Sequence, residues 1–426
     1  MSEEINKYPR NSIHAIRHGL IFFLLLGLTG CSSQQVEIKL SNPADIPRED
    51  AQIVISRDSL LERNPNFAEG VLEIVDSNRE KVPYQLDDLD GDGEWEELAL
   101  VHTLPAGGAA TLFARPTAAD TTPSFIDRAQ VWFARRDSAT GAYERLTSEV
   151  RPDWYERVYE TPFYYQFEGP GWENDHIGFR LYFDERNGID IWGKKTEEMV
   201  LQNVGKGDDY HSMADWGMDI LKVGNSLGAG AIGAKTGDTL HRLQGTEYEK
   251  FEQVASGPVR AIFDLVYKGW DIDGKQYDLR QRISIWAGAH GYRNKVTLTG
   301  SQDSLNLVAG MVIGELEGNP EFGSQSGFEY ILGPNVRSAN DATLGMSLLA
   351  PGERVTGSGT RGATGGSVEN TAFLEFNLTK EHPASYRFLA GWETGDEKFG
   401  QREAFKEVVL STGRRMEQPV EVSFSQ

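Results

Sequence analysis

Apolar and polar residues alternate along this chain with a period of two, the mark of strands that bury one face and expose the other. In the run from 176 to 184, Ile177, Phe179, Leu181 and Phe183 fall on one face and His176, Arg180, Tyr182 and Asp184 on the other. Comparable runs rich in Val, Ile, Phe, Tyr and Thr occupy 52–56, 70–75, 97–101, 130–134, 178–184, 259–267, 279–286 and 294–299. Gly-, Asp- and Asn-rich turns separate them. The 46 glycines suit such a turn-dense chain. No long stretch carries the 3.6-residue period of an amphipathic helix, and only 196–201 suggests a short one. The pattern therefore predicts an all-β protein. A Pro- and Thr-rich stretch at 116–125 reads as a linker, dividing a small N-terminal β-module (46–118) from a large antiparallel β-sandwich (124–426). The Gly/Ser/Thr-rich segment 357–366 reads as a surface loop.

The N-terminus breaks the pattern. Lys7, Arg10 and Arg17 precede an apolar run at 20–26, followed by Leu28-Thr29-Gly30-Cys31. The run falls short of the roughly 20 apolar residues that span a membrane. It fits a cleavable signal (1–30) ending in a sequence that resembles the lipobox of bacterial lipoproteins. Cys31, the one cysteine of the chain, would carry the lipid, and 31–45 would be a tether. A free cysteine in a coincidental setting is the competing reading. The absence of aspartate after Cys31 favours the outer membrane, with the body in the periplasm or at the cell surface. With that thiol acylated no disulfide can form, so the fold rests on its core.

The net charge of −22 argues against nucleic acid as a partner, because phosphate binding needs clustered Lys and Arg. It does not exclude acidic ligands, which need only a local basic pocket. Three constellations could carry chemistry. Asp88, Asp90, Asp92 and Glu96 place oxygen ligands at alternate positions around glycines, as a structural calcium loop would. An acidic hairpin turn is the equally simple alternative. The segment 208–219 gathers Tyr210, His211, Trp216, Asp219 and other carboxylates after a glycine-rich stretch. Histidine is suited to proton transfer near neutral pH and tryptophan to stacking on a sugar; a structured loop is the plain alternative. Third, Arg180, Arg260 and Arg280 sit on polar strand faces that would form a cationic floor if they line one hollow. Singly, each reads as a solvated or ion-paired arginine. No phosphate loop, nucleophile elbow or zinc signature is present.

The motifs 82–93 (Val-Pro-Tyr-Gln-Leu-Asp-Asp-Leu-Asp-Gly-Asp-Gly), 172–182 (Trp-Glu-Asn-Asp-His-Ile-Gly-Phe-Arg-Leu-Tyr), 189–194 (Ile-Asp-Ile-Trp-Gly-Lys), 210–219 and 257–260 (Gly-Pro-Val-Arg) together resemble the domain of unknown function 4861 family over roughly 45–424. The resemblance implies a lipoprotein or periplasmic protein of polysaccharide utilisation with a β-sandwich akin to the mutarotase-like supersandwich. It also implies dehydration of glucuronate-ended oligosaccharides, as in ulvan breakdown, to a 4,5-unsaturated uronate. On that reading His211 is the base or acid, with Tyr210 or Tyr182 as partner and His176 as a second candidate. Arg180 and Arg280, with Arg260 in reserve, would hold the carboxylate, while Trp216 and Asp219 contact the sugar. No cofactor is required. The rivals are a non-catalytic surface glycan-binding lipoprotein, a chain-cleaving lyase and an epimerase.

Overall fold

In the computed structural model the described residues are 35–118, 123–155, 164–207, 209–313, 318–334, 336–362 and 367–425. The signal 1–30, Cys31, Asp208 and parts of the segments 116–125 and 357–366 lie outside them. All of the described residues belong to one compact unit.

As the alternation predicts, the protein is all-β and its sheets are antiparallel. The largest sheet runs in the order Ser148–Val150, Tyr248–Ser256, Arg260–Ile272, Lys275–Trp286, Gly291–Leu298, Ala384–Trp392, Thr343–Pro351, Phe328–Leu332, Glu321–Gln325. Two five-stranded sheets pack on one of its faces. One contains Ile177–Leu181 and Ile189–Lys194, the other Ala229–Thr236 and Ser304–Val312. The common core takes Phe179, Phe263, Ile283, Tyr292, Met346 and Phe388, all essentially without solvent contact.

The opposite face of the large sheet is arginine-rich. Because side chains alternate, Arg260, Arg280, Arg282, Arg293 and Arg387 all point away from the core residues that neighbour them. Two bodies cover this face. One is the N-terminal module, a three-stranded sheet (Arg48–Ser56, Glu97–Leu104, Tyr84–Asp87) packed on a four-stranded one. The other is the C-terminal helix Arg402–Glu417.

Four expectations need correction. The segment 31–45 is not simply a tether, because Val36–Ser41 is a strand buried in the middle of the four-stranded sheet. That sheet also takes Glu421–Phe424 from the far end of the chain, so the module is not confined to 46–118. In place of the short helix expected at 196–201 the chain is irregular, with bends at 196–198 and a turn beginning at 201. The helix Arg402–Glu417 escaped notice because its buried stripe is only Phe405, Val409 and Gly413, a narrow signal in a polar stretch. Gly413 is required there: a Cβ would collide with the ring of Phe328. The segment 357–366, expected as a loop, contains the edge strand Gly357–Arg361.

Candidate functional site

The strand Ile177–Leu181 buries Phe179 inward and sends Arg180 to the outer face, where Phe167, Val200, Leu201, Val204 and Tyr210 close over it. Register places Arg180 beside Asp190 and Trp192 beside Asp219. The Arg180 guanidinium, 1 % exposed, donates to Asp219 at 2.7 Å and Asp190 at 2.8 Å and lies 3.1 Å from Glu168. It also donates to the phenol oxygens of Tyr182 and Tyr210 at 3.1 and 3.3 Å. Tyr182 in turn donates to Asp190 at 2.6 Å. Burial, and then the Asp219 charge, push the Asp190 carboxyl up to about 7. At the rim, His211 is exposed with its Nδ1 3.4 Å from Asp219, which raises the imidazole pKa. Trp216 packs edge-on against Trp192.

Tyr210, His211, Arg180, Tyr182, Trp216 and Asp219 therefore do converge. However, three carboxylates surround the one buried arginine, so Arg180 is not a free cation for a substrate carboxylate. The other proposed arginines sit elsewhere. Arg260 stacks over Trp286 and donates to Asp87 at 2.5 Å and Glu97 at 2.6 Å, tying the N-terminal module to the large sheet. Arg280 and Arg282 grip Asp264. Arg260 is neutralised by two carboxylates and Arg280 and Arg282 share one, pairings that sequence alone could not place.

Cations without carboxylate partners gather where the module and the C-terminal helix leave the arginine-rich face uncovered. A cavity of about 640 Å³ opens there. Its floor holds Arg293 and Arg387, directly opposite each other on adjacent strands. Like charges so placed repel. Among the described residues Arg387 has only Gln52 Oε1 at 3.5 Å, and Arg293 only Ser385 Oγ at 3.1 Å. Arg415, from the helix, donates to the Pro47 carbonyl at 3.2 Å. Arg48 caps the same helix through the carbonyls of Arg415 and Gln418. Among the described residues none of these four arginines meets a carboxylate within ion-pair distance. Burial lowers the pKa of all four, that of Arg387 to about 10. In a chain of net charge −22, this patch is a local concentration of positive charge.

At one end of the cavity His176 and His290 stack, with centroids 4.8 Å apart and planes 20° apart. Burial, then His176, push His290 down to about 3, so its imidazole is neutral. Neither ring makes a hydrogen bond to protein among the described residues. Next to His176, Asp175 accepts from Arg128 at 2.8 Å and from the Gly288 amide at 2.8 Å. Arg128 also grips Asp50 of the module.

Sequence reasoning found His176 but missed His290, Arg293, Arg387 and Arg415. A signal existed: Tyr292-Arg293 and Tyr386-Arg387 alternate alike, each tyrosine turning inward to donate to a backbone carbonyl (Ala229 and Gly230) while its arginine turns out. Separately, oxygens of Asp88, Asp90, Asp92 and Glu96 lie within 4.8 Å of one another, close enough to share one calcium ion. Asp88 already accepts from the amides of Gly91 and Gly93, which lower its pKa.

A family model described as Domain of unknown function (DUF4861) matches residues 40–422. "Uncharacterized protein P7" of Formosa agariphila is 22% identical over 436 residues, covering 96% of this chain and 100% of the relative. Solved structures that are similar include a glycosyl hydrolase family 38 protein of Enterococcus faecalis, with TM-score 0.45 and 9% identity. An alpha-mannosidase of the same species gives TM-score 0.42 and 8% identity. Each covers 92% of this chain, which spans only 48% and 46% of theirs.

Proposed function

The chain belongs to the DUF4861 family, a domain of unknown function, and from that premise we propose that it dehydrates the terminal glucuronate of an acidic oligosaccharide bound in the cationic cavity. One observation carries this reading: Arg293 and Arg387 lie side by side on adjacent strands in the cavity floor, and among the described residues neither has a carboxylate within ion-pair distance. A carboxylate supplies the missing charge. Its neutralisation is also what the chemistry needs, because the C5 proton of a uronate becomes removable only when the carboxylate beside it can accept electron density.

The two imidazoles supply the proton transfers. One of the stacked imidazoles takes the C5 proton, the C5–H electron pair forms the C4=C5 double bond, and the C4–O4 bond breaks. The other imidazole protonates the departing hydroxyl, which leaves as water. A second proton-transfer set is His211 with Tyr210, favoured by the exposure of His211 and its Asp219 contact. The non-catalytic alternative uses the same cavity for binding alone. Anchoring through Cys31 at the outer membrane belongs to this reading and is tested by loss of acyl labelling in Cys31→Ser.

The deciding experiment incubates the protein with glucuronate-ended oligosaccharides while absorbance and product mass are followed. Dehydration raises absorbance and removes one water without shortening the chain. A shortened chain indicates a lyase, and binding without new absorbance indicates a binding protein. Loss of a general acid or base costs ~100-fold or more in turnover. His290→Gln and His176→Ala are expected to show that loss. If His211→Ala shows it and they do not, the chemistry belongs to the Tyr210–His211 rim.

A further inference from the structure

His176 sits in the bend before the strand Ile177–Leu181, and His290 in the turn before Gly291–Leu298. Both rings line the large cavity and a smaller one of about 260 Å³. Two rings on separate segments stay stacked only if the segments are tied together. The two residues before His176 do this. Asn174, without solvent contact, accepts from the His176 and Ile177 amides at 2.9 and 3.0 Å. It donates to the Trp286 and Ala289 carbonyls at 2.6 and 2.7 Å. Asp175, 5 % exposed, accepts from the Gly288 amide through one oxygen and from Arg128 through the other.

Arg128 carries the tie outward. Its two terminal nitrogens meet the two Asp50 oxygens at 2.9 and 2.7 Å, while its Nε holds Asp175 at 2.8 Å. Asp50 belongs to the N-terminal module. It lies at a bulge in the strand Arg48–Ser56 with φ of +46°, uncommon for a residue other than glycine. There its side chain lies against the 286–290 turn. A Cβ on Gly288 would fall 2.5 Å from Asp50 Oδ2 and 2.7 Å from Asp50 Cβ, so only glycine leaves room for the contact. Asp50 therefore touches the turn that bears His290 and, through Arg128, the segment that bears His176. As a stabilising ion pair, the partly exposed Asp50–Arg128 contact contributes little. A sparsely populated backbone conformation kept for so little stability points to function.

We propose that Asp50 is a positioning residue, by which the N-terminal module holds His176 and His290 in their stacked arrangement through Arg128 and Asp175. The catalytic consequence rests on the reading of that pair as the proton-transfer groups; the positioning itself does not. The N-terminal module is then part of the site's machinery as well as a cover for the sheet.

The test is Asp50→Gly in the whole protein, which deletes the carboxylate where φ already suits glycine. Nitrogen-15 labelling of histidine lets each imidazole be titrated by NMR, with His290 assigned by its loss in His290→Gln. Its titration is expected to move up from about 3 toward the ordinary 6.5, because burial is the main cause of its depression. The charged and titratable groups that face it, His176, Asp396, Lys398 and Arg415, are unaltered by the substitution. Deleting a carboxylate would by charge alone push an imidazole further down, so an upward movement reports loosened packing. In the same variant kcat for glucuronate-ended oligosaccharides is expected to fall ~10-fold or more, the effect of a small misplacement of catalytic groups. KM and the glucuronate Kd are expected to stay within about twofold. Asp50→Asn, which tolerates that φ and keeps one oxygen for Arg128, recovers most of kcat. Arg128→Lys keeps the charge without the fork and reproduces Asp50→Gly, and the double variant is no worse than either alone. An unmoved His290 titration in Asp50→Gly and Arg128→Lys overturns the proposal whatever the reaction is. So does a loss confined to KM and Kd, which makes Asp50 a ligand contact. A wild-type protein that leaves the oligosaccharides unchanged overturns the proton-transfer reading alone, and the imidazole titration still decides the positioning role. Should Asp50→Gly not fold, Arg128→Lys carries the same comparison.

Discussion

Replacing Arg387 with methionine is expected to stabilise the ligand-free protein while destroying its affinity for a uronate. Arg387 is hemmed in by protein, faces Arg293 across the strand pair, and has one weak partner in Gln52. Its pKa falls from the ordinary arginine range to about 10, with burial the larger cause and Arg293 the second. At 1.36 kcal/mol per pH unit, about 3 kcal/mol opposes the charged form. A folded pKa below the unfolded one means that this penalty is present at every pH below about 10 and is relieved only as pH rises above it. Methionine removes the charge and keeps most of the apolar stem that an arginine packs against its neighbours. Because the side chain retains some contact with the cavity, a gain of about 1–2 kcal/mol is the realistic expectation, read as a rise of a few degrees in Tm. Truncating one partner of an enclosed charge pair costs about 2 kcal/mol or more, at least ~30-fold in Kd. Thermal melts and calorimetry on the same preparation read both numbers. A variant that melts lower and binds glucuronate as well as wild type would refute the reasoning, making Arg387 a structural residue held by Gln52.

The other expectations concern separate parts of the molecule. His290 is held neutral down to about pH 3, whereas the unfolded chain protonates near 6.5; stability is therefore full above 6.5 and declines as pH falls toward 3. His290→Gln is expected to flatten that acid limb, recovering about 2 kcal/mol at pH 5 in denaturant titrations, and an unchanged slope would count against the buried imidazole. Arg260→Ala strands the buried Asp87 carboxylate and should cost about 3–5 kcal/mol in chemical denaturation. Its KM for oligosaccharide should stay within about twofold, since Arg260 lines neither cavity. If the 88–96 loop holds calcium, millimolar Ca²⁺ raises Tm and chelator reverses the gain; no shift in either direction would mark the loop as a plain acidic turn.

The alternation of apolar and polar residues was sufficient to set the all-β class, the strands from 52 to 299 and the arginine-bearing face, because side-chain direction in a strand follows from position parity alone. Parity also placed Arg180 and Tyr182 together on one side of their strand. Which arginines are free was decided only by packing. Arg260 meets Asp87 and Glu97 across a module interface 173 and 163 positions away, and Arg180 meets Asp219 through a strand pairing that no local signal reports. Arg293 and Arg387 look no different in sequence from those two. They stand uncompensated because the N-terminal module and the C-terminal helix cover the sheet on either side and leave that patch open. Charge neutralisation acts through space at a few ångströms, so a linear pattern can name the charged residues of a face, while tertiary structure alone determines which of them still lacks a partner.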